Sequence, residues 1–161
     1  MATKYWVANN PNSEINDAKA QKLAELSATT VSLAELDALD ADSTQCTITP
    51  ASLSNADGAT VEFVVQFNDA AGAAVTHPVS FNYYISSDAA GLALDSAVTT
   101  IADGGAGVII PITANLSGVG ITDATGTCEM DITEAGADTI YLVVTQPDGR
   151  IVVSAAVAWL A

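Results

Sequence analysis

The sequence predicts an all-β, two-layer sandwich of about seven to nine strands over residues 45–161, behind a short, partly helical arm at residues 1–44. Three observations carry this. From Cys46 onward apolar side chains recur at every second position, the mark of half-buried strands. Asp and Gly recur together between those runs at near-regular spacing, as turns do. Ahead of them the apolar spacing is three to five residues, as on a helix.

In the arm, Asn12 or Ser13 can cap a helix with Ile15, Ala18, Leu23 and Leu26 on one side and Lys19 and Lys22 on the other. Ser32 and Glu35 then form a capping-box pair ahead of Leu33, Leu36 and Leu39. Leu23-Ala-Glu-Leu26 recurs as Leu33-Ala-Glu-Leu36, too brief a repeat to found a solenoid. A polar connector from Asp40 to Gln45 ends the arm.

Past the connector, Val61, Phe63, Val65 and Phe67 alternate with polar or smaller neighbours and are expected to face inward. Val79, Phe81, Tyr83 and Ile85 do the same, as do Cys128, Met130 and Ile132. Further strands are expected at Ala97–Ile101, Gly107–Thr113, Thr139–Gln146 and Ile151–Trp159. The gaps Asp69–Gly72, Asp88–Gly91, Asp103–Gly105, Asp123–Gly126 and Pro147–Gly149 each offer an Asp to bond local backbone and a Gly for positive φ.

With 161 residues, 50% of them hydrophobic and 14% charged, the chain can bury a core, and disorder is excluded for most of its length. Its 19 Asp and Glu against 4 Lys and Arg give a formal charge of −15, and Leu23–Gly149 holds no Lys or Arg. Such a surface repels phosphate backbones and anionic head groups, so neither nucleic acid nor membrane is expected as a partner. No run approaches the roughly 18 apolar residues of a membrane helix, and Met1–Pro11 lacks the build of a signal peptide. The expectation is a soluble chain made in the cytoplasm without Sec export.

Residues that carry chemistry are sparse. Cys46 and Cys128 lack the paired spacing of metal ligands and are expected to be reduced and buried, though their pairing stays open. His77, the one histidine, precedes Pro78 at an expected strand end, away from a core-facing Cys128. No Gly-x-Ser-x-Gly, Walker or His-Glu-x-x-His pattern occurs, and Gly104-Gly-Ala-Gly107 has no Lys or following helix, so it reads as a flexible strand connection. The acids sit at turn starts and outward strand positions; Asp88, Asp95 and Asp123 are the candidates to converge on calcium, without Asp-x-Asp-x-Asp spacing. Asp148-Gly-Arg150 reads as a hairpin turn. The chain is expected to be no enzyme, with no catalytic residue, no metal site and no cofactor.

The surface departs more from the ordinary. Ile151, Val153, Ala155, Val157 and Trp159 are expected on one face of the last strand, leaving Val152, Ser154, Ala156 and Ala158 as a second face that is small and uncharged. Exposed strands ordinarily carry Lys or Glu against unwanted pairing. That face, with Tyr141 and Val143 beside it, is therefore expected to be covered, by a subunit or by the arm folding back. Tyr5, Trp6 and Val7 near a chain end are costly to leave in water and are expected to dock.

Two resemblances follow from the residues. Val61-Glu-Phe-Val-Val-Gln-Phe-Asn-Asp-Ala-Ala-Gly72, Pro78-Val-Ser-Phe81, Thr122–Thr133, Ala135-Gly136 and Tyr141-Leu-Val-Val144 resemble the bacterial immunoglobulin-like (invasin-type) module, which implies an immunoglobulin-like sandwich. Asp131–Ser154 is similar to the closing hairpin of small structural proteins of tailed bacteriophages. Val31-Ser-Leu-Ala-Glu-Leu-Asp-Ala-Leu-Asp40 resembles a connector of phage fibre and head-fibre proteins, with Asp37 and Ala41 in place of its usual Asn and Gly. These imply a virion component on the outer surface of the particle: a capsid decoration or head-fibre subunit, a homotrimer, with the major capsid protein or another virion protein as partner. Its assembly contacts would be Tyr5, Trp6, Val7, Ile15, Leu23, Leu26, Leu33, Leu36 and Leu39 on the arm and Tyr141, Val143 and Val152 on the hairpin. The alternatives are a tail fibre or tail-associated module with host-binding loops at Ser86–Leu94 and Thr113–Ile121, and a cellular adhesion or carbohydrate-binding module, which 6% aromatic residues disfavours.

Overall fold

The structure, a computed structural model, describes residues 45–95 and 97–161. The expected arm helices, and the arm contacts from Tyr5 to Leu39, lie outside the described residues. The strands are β1 Gln45–Pro50, β2 Ser54–Ala56, β3 Thr60–Asn68, β4 Ser80–Ser86, β5 Thr100–Asp103, β6 Val108–Thr113, β7 Ser117–Ile121, β8 Thr127–Thr133, β9 Asp138–Thr145, β10 Ile151–Val153 and β11 Val157–Leu160. One sheet has the order β1-β3-β8-β5; the other runs β2-β11-β9-β4-β7-β6, with β10 also paired to β9. All pairings are antiparallel except the parallel β11–β2. The fold is an all-β, immunoglobulin-like sandwich.

The expected inward runs form its core. Val61, Phe63, Val65, Phe67, Cys128, Met130 and Ile132 from the first sheet are buried against Phe81, Tyr83, Ile85, Ile140, Leu142, Val144, Val157 and Trp159 from the second. Phe67 and Phe81 meet across the sheets with ring centroids 5.5 Å apart, an edge-tilted aromatic contact. The Trp159 indole N–H donates to the Ala59 carbonyl at 2.7 Å, so this buried ring leaves no orphan donor.

The turns follow the sequence. Gly72, Gly91 and Gly126 donate to the carbonyls of Asp69, Asp88 and Asp123 at 3.0, 2.9 and 3.2 Å. All three glycines have positive φ, at 84°, 68° and 75°. The three Asp side chains accept from Ala73, Leu92 and Thr127 N–H at 2.9, 3.0 and 3.0 Å, the Asx bonding that makes Asp a turn residue.

Three expectations are corrected. Thr113–Ile121 is not a loop: it holds β7, whose Gly118 and Gly120 lie opposite Tyr83 and Phe81. The Ala97–Ile101 strand begins at Thr100, because Val98 N–H goes to Asn115 O at 2.9 Å and Thr99 N–H to Glu134 Oε2 at 3.0 Å in place of a ladder. The last strand is two. Val152 pairs with Val144 and Val153 with Val143, whereas Val157 pairs with Ile140, so one extra residue enters between Ser154 and Val157. This bulge reverses the faces. Val152 packs on the core and Ile151 is exposed, the opposite of the unbroken alternation, while Val157 and Trp159 still point inward.

Candidate functional site

The chemistry-bearing residues are occupied locally. Cys46 and Cys128 are buried, unpaired thiols. Burial pushes their pKa values up to about 12 and about 11, the reverse of a reactive nucleophile. His77 is exposed in the β3–β4 connection. Asp88 accepts Ala90 and Leu92 N–H within its own loop. Asp123 is held below the usual carboxylate range by the Thr125 hydroxyl and then by the Thr127 and Thr125 N–H groups. Among the described residues no group of three or more His, Cys, Asp or Glu could hold a metal ion.

The Gly104–Gly107 connection is fitted around Glu129. Gly104 N–H donates to Glu129 O and Glu129 N–H to Ala106 O, both at 2.9 Å, and Ala106 N–H reaches Glu129 Oε2 at 3.0 Å. A Cβ on Gly104 would lie 2.7 Å from that of Glu129, so glycine here serves close approach of β5–β6 to β8.

The outer faces of the two sheets differ in charge. On the four-stranded sheet Glu62 lies opposite Asp131 and Val64 opposite Glu129, so outward positions of β3 and β8 are acidic. On the other sheet, outward positions of β6, β7, β4, β9 and β10 carry Val, Ile, Ser, Asn, Thr and Tyr and no charge.

One half of this uncharged face is roofed by its own chain. The Tyr84 hydroxyl donates to Gly91 O at 2.6 Å and the Ser86 hydroxyl to Ala93 O at 2.6 Å. A Cβ on Gly91 would sit 3.1 Å from methyls of both Val143 and Val153, so the Ser86–Leu94 loop rests directly on them. Of the expected hairpin contacts, Tyr141 is half-buried on the outer face. Val143 is fully buried beneath this loop and offers no surface to another molecule, while half-buried Val152 packs against the core.

The other half is open. Val108, Ile110 and Ile112 on β6 are 51%, 50% and 73% exposed, and half-buried Ile121 and Val119 on β7 lie opposite Val108 and Ile110. Sequence reasoning assigned β6 correctly but passed over this patch. The signal was Val108-Ile-Ile-Pro-Ile112, a strand apolar on both faces with no charge to guard its outer one.

β6 is also an edge strand, and its edge is closed. The Ile109 N–H donates to Asp103 Oδ1 at 2.6 Å, and Pro111, two positions along, has no N–H. A further strand therefore finds no donor at either position. At these positions the site offers side chains on its face and no backbone donor.

No family model matches this chain, and no curated protein matches it. Among solved structures it is similar to the cohesin module from Clostridium perfringens ATCC13124 family 33 glycoside hydrolase, with a TM-score of 0.42 and 9% sequence identity over 72% of this chain and 96% of that one.

Proposed function

We propose that this chain is a non-enzymatic structural subunit of a tailed-phage particle, a capsid decoration or head-fibre protein, joined to the shell through residues 1–44 and presenting its sandwich as an assembly surface. The open, uncharged β6–β7 face is the observation that carries the assembly reading. Exposed Val108 and Ile110 at alternate positions of an edge strand, with exposed Ile112 at the bulge that follows, are what a contact surface needs and what a freely soluble module avoids. The phage-like segments Val31–Asp40 and Asp131–Ser154 support the particle as the setting. The acidic opposite sheet would keep crowded copies apart in solution. Purified protein incubated with phage shells should co-sediment saturably, and removal of residues 1–44 should abolish this; failure of the full chain to bind any virion part would overturn the reading.

A second reading, a tail-associated host-binding module, draws on the Ser86–Leu94 loop, where Leu92 is 82% exposed. Labelled copies at the tail tip in electron micrographs would favour it.

A further inference from the structure

We infer that the β6–β7 outer face is where a second copy of this chain packs, sheet face against sheet face, about a twofold axis. The inference rests on the assembly reading above and names the partner of that same surface.

Charge selects the side on which like copies can meet. A basic partner would be met by carboxylates, and the outward positions of β6 and β7 hold none. Packed sheets stand about 10 Å apart, a distance at which unpaired like charges repel strongly across a drying interface. Two copies meeting through β3 and β8 would set Glu62, Glu129 and Asp131 against their own images. Two copies meeting through β6 and β7 bring Val108, Ile110, Ile112, Val119 and Ile121 against the same five, with no charge at these outward positions and the Asp103 carboxylate at the β6 edge bonded to the Ile109 N–H. For a chain of formal charge −15, this is the side on which self-contact costs least.

The edge fixes the geometry. Because Asp103 takes the Ile109 N–H and Pro111 has none, β6 gives a second copy no backbone donor at those positions, which disfavours continuing the sheet there. Face-to-face packing remains, and one patch meeting itself closes at two copies. This differs from the trimer that the sequence resemblance implies. Five aliphatic side chains make a patch of a few hundred Å², so the paired area falls in the class of weak interfaces below about 1,200 Å². Such a contact is transient for isolated copies and is strengthened where many are held on one lattice.

Salt acts on only one of the two contributions. Apolar contact persists, whereas repulsion between acidic bodies is screened, so association should increase with ionic strength. A contact made by ion pairs would weaken instead.

The test is sedimentation velocity of the full chain over a concentration series at low and high sodium chloride, with Ile112→Asp, Ile110→Asp and the surface control Leu53→Asp, at an exposed position of the β1–β2 connection. The expected result is a monomer–dimer equilibrium that tightens with salt, weakens about tenfold or more in either isoleucine variant and is unchanged in the control. Far-ultraviolet circular dichroism and thermal midpoint check that each variant folds. Ile112→Asp, at the most exposed of these positions, keeps the test available if Ile110→Asp does not fold. A monomer at every concentration and salt, or a dimer or trimer indifferent to both isoleucine variants, would overturn the inference. A monomer that still co-sediments with shells would overturn the twofold contact and leave the particle reading standing; a dimer that binds no virion part would do the reverse.

Discussion

The Ile109 N–H ends on the Asp103 carboxylate, 2.6 Å away, and so the outermost strand of the larger sheet presents a sealed edge beneath an apolar face. Removing the acceptor uncovers the donor. Asp103→Ala should lose about 1 kcal/mol of stability in urea denaturation and, more tellingly, should gain light-scattering aggregates, because an open edge bearing Val108, Ile110 and Ile112 recruits strands. Unchanged scattering in a folded Asp103→Ala would show that the edge is guarded by something else.

Gly118 and Gly120 are the floor on which the core aromatics rest. A Cβ on Gly120 would fall on the Phe81 ring, and one on Gly118 on the Tyr83 ring. Gly120→Ala should therefore destabilise by about 1–3 kcal/mol through overpacking, measured as a lower urea midpoint. A neutral result would mean that the ring moves aside freely.

The same glycines explain part of what the sequence concealed. Isolated Gly weakens a strand pattern, so Ser-Gly-Val-Gly-Ile reads as loop. Only the aromatic residues opposite, thirty-odd positions away in sequence, make it β7. The long alternating runs of β3, β4 and β8 and the Asp and Gly turns were legible because their signal is local. The outer roof was not: nothing in the spacing of Val143 says that a loop around Gly91 will lie on it. The open patch on β6 was legible in composition; the phase of the closing hairpin was not, because a single added residue reverses it.

That added residue is tied to Ser154. Leu142 N–H donates to the Ser154 hydroxyl at 3.0 Å, Ser154 N–H donates to Leu142 O at 2.9 Å, and the hydroxyl donates onward to Ala155 O at 2.8 Å. Ser154→Ala orphans a buried N–H and should cost about 1–3 kcal/mol. Equilibrium denaturation checks this, and wild-type stability would show that the bulge satisfies Leu142 by another route.

The thiols give a pH signature. Their ordinary value of 9.0 is raised by burial to about 12 for Cys46 and about 11 for Cys128. Ionisation therefore favours the unfolded chain: the stability that neutral buried thiols contribute is whole below pH 9.0 and is lost as pH rises from there toward 11 and 12. At pH 8 an aromatic disulfide reagent should react with neither thiol in the native protein and with both in denaturant. Rapid native labelling of either would contradict this burial.

Assembly depends on which side of the sandwich meets other protein. Carbene footprinting of the chain, free and assembled on particles, reads this directly. The prediction is protection of Val108, Ile110, Ile112, Val119 and Ile121 on assembly with unchanged labelling at Glu62, Glu129 and Asp131; equal labelling of the five aliphatic residues in both states would contradict it.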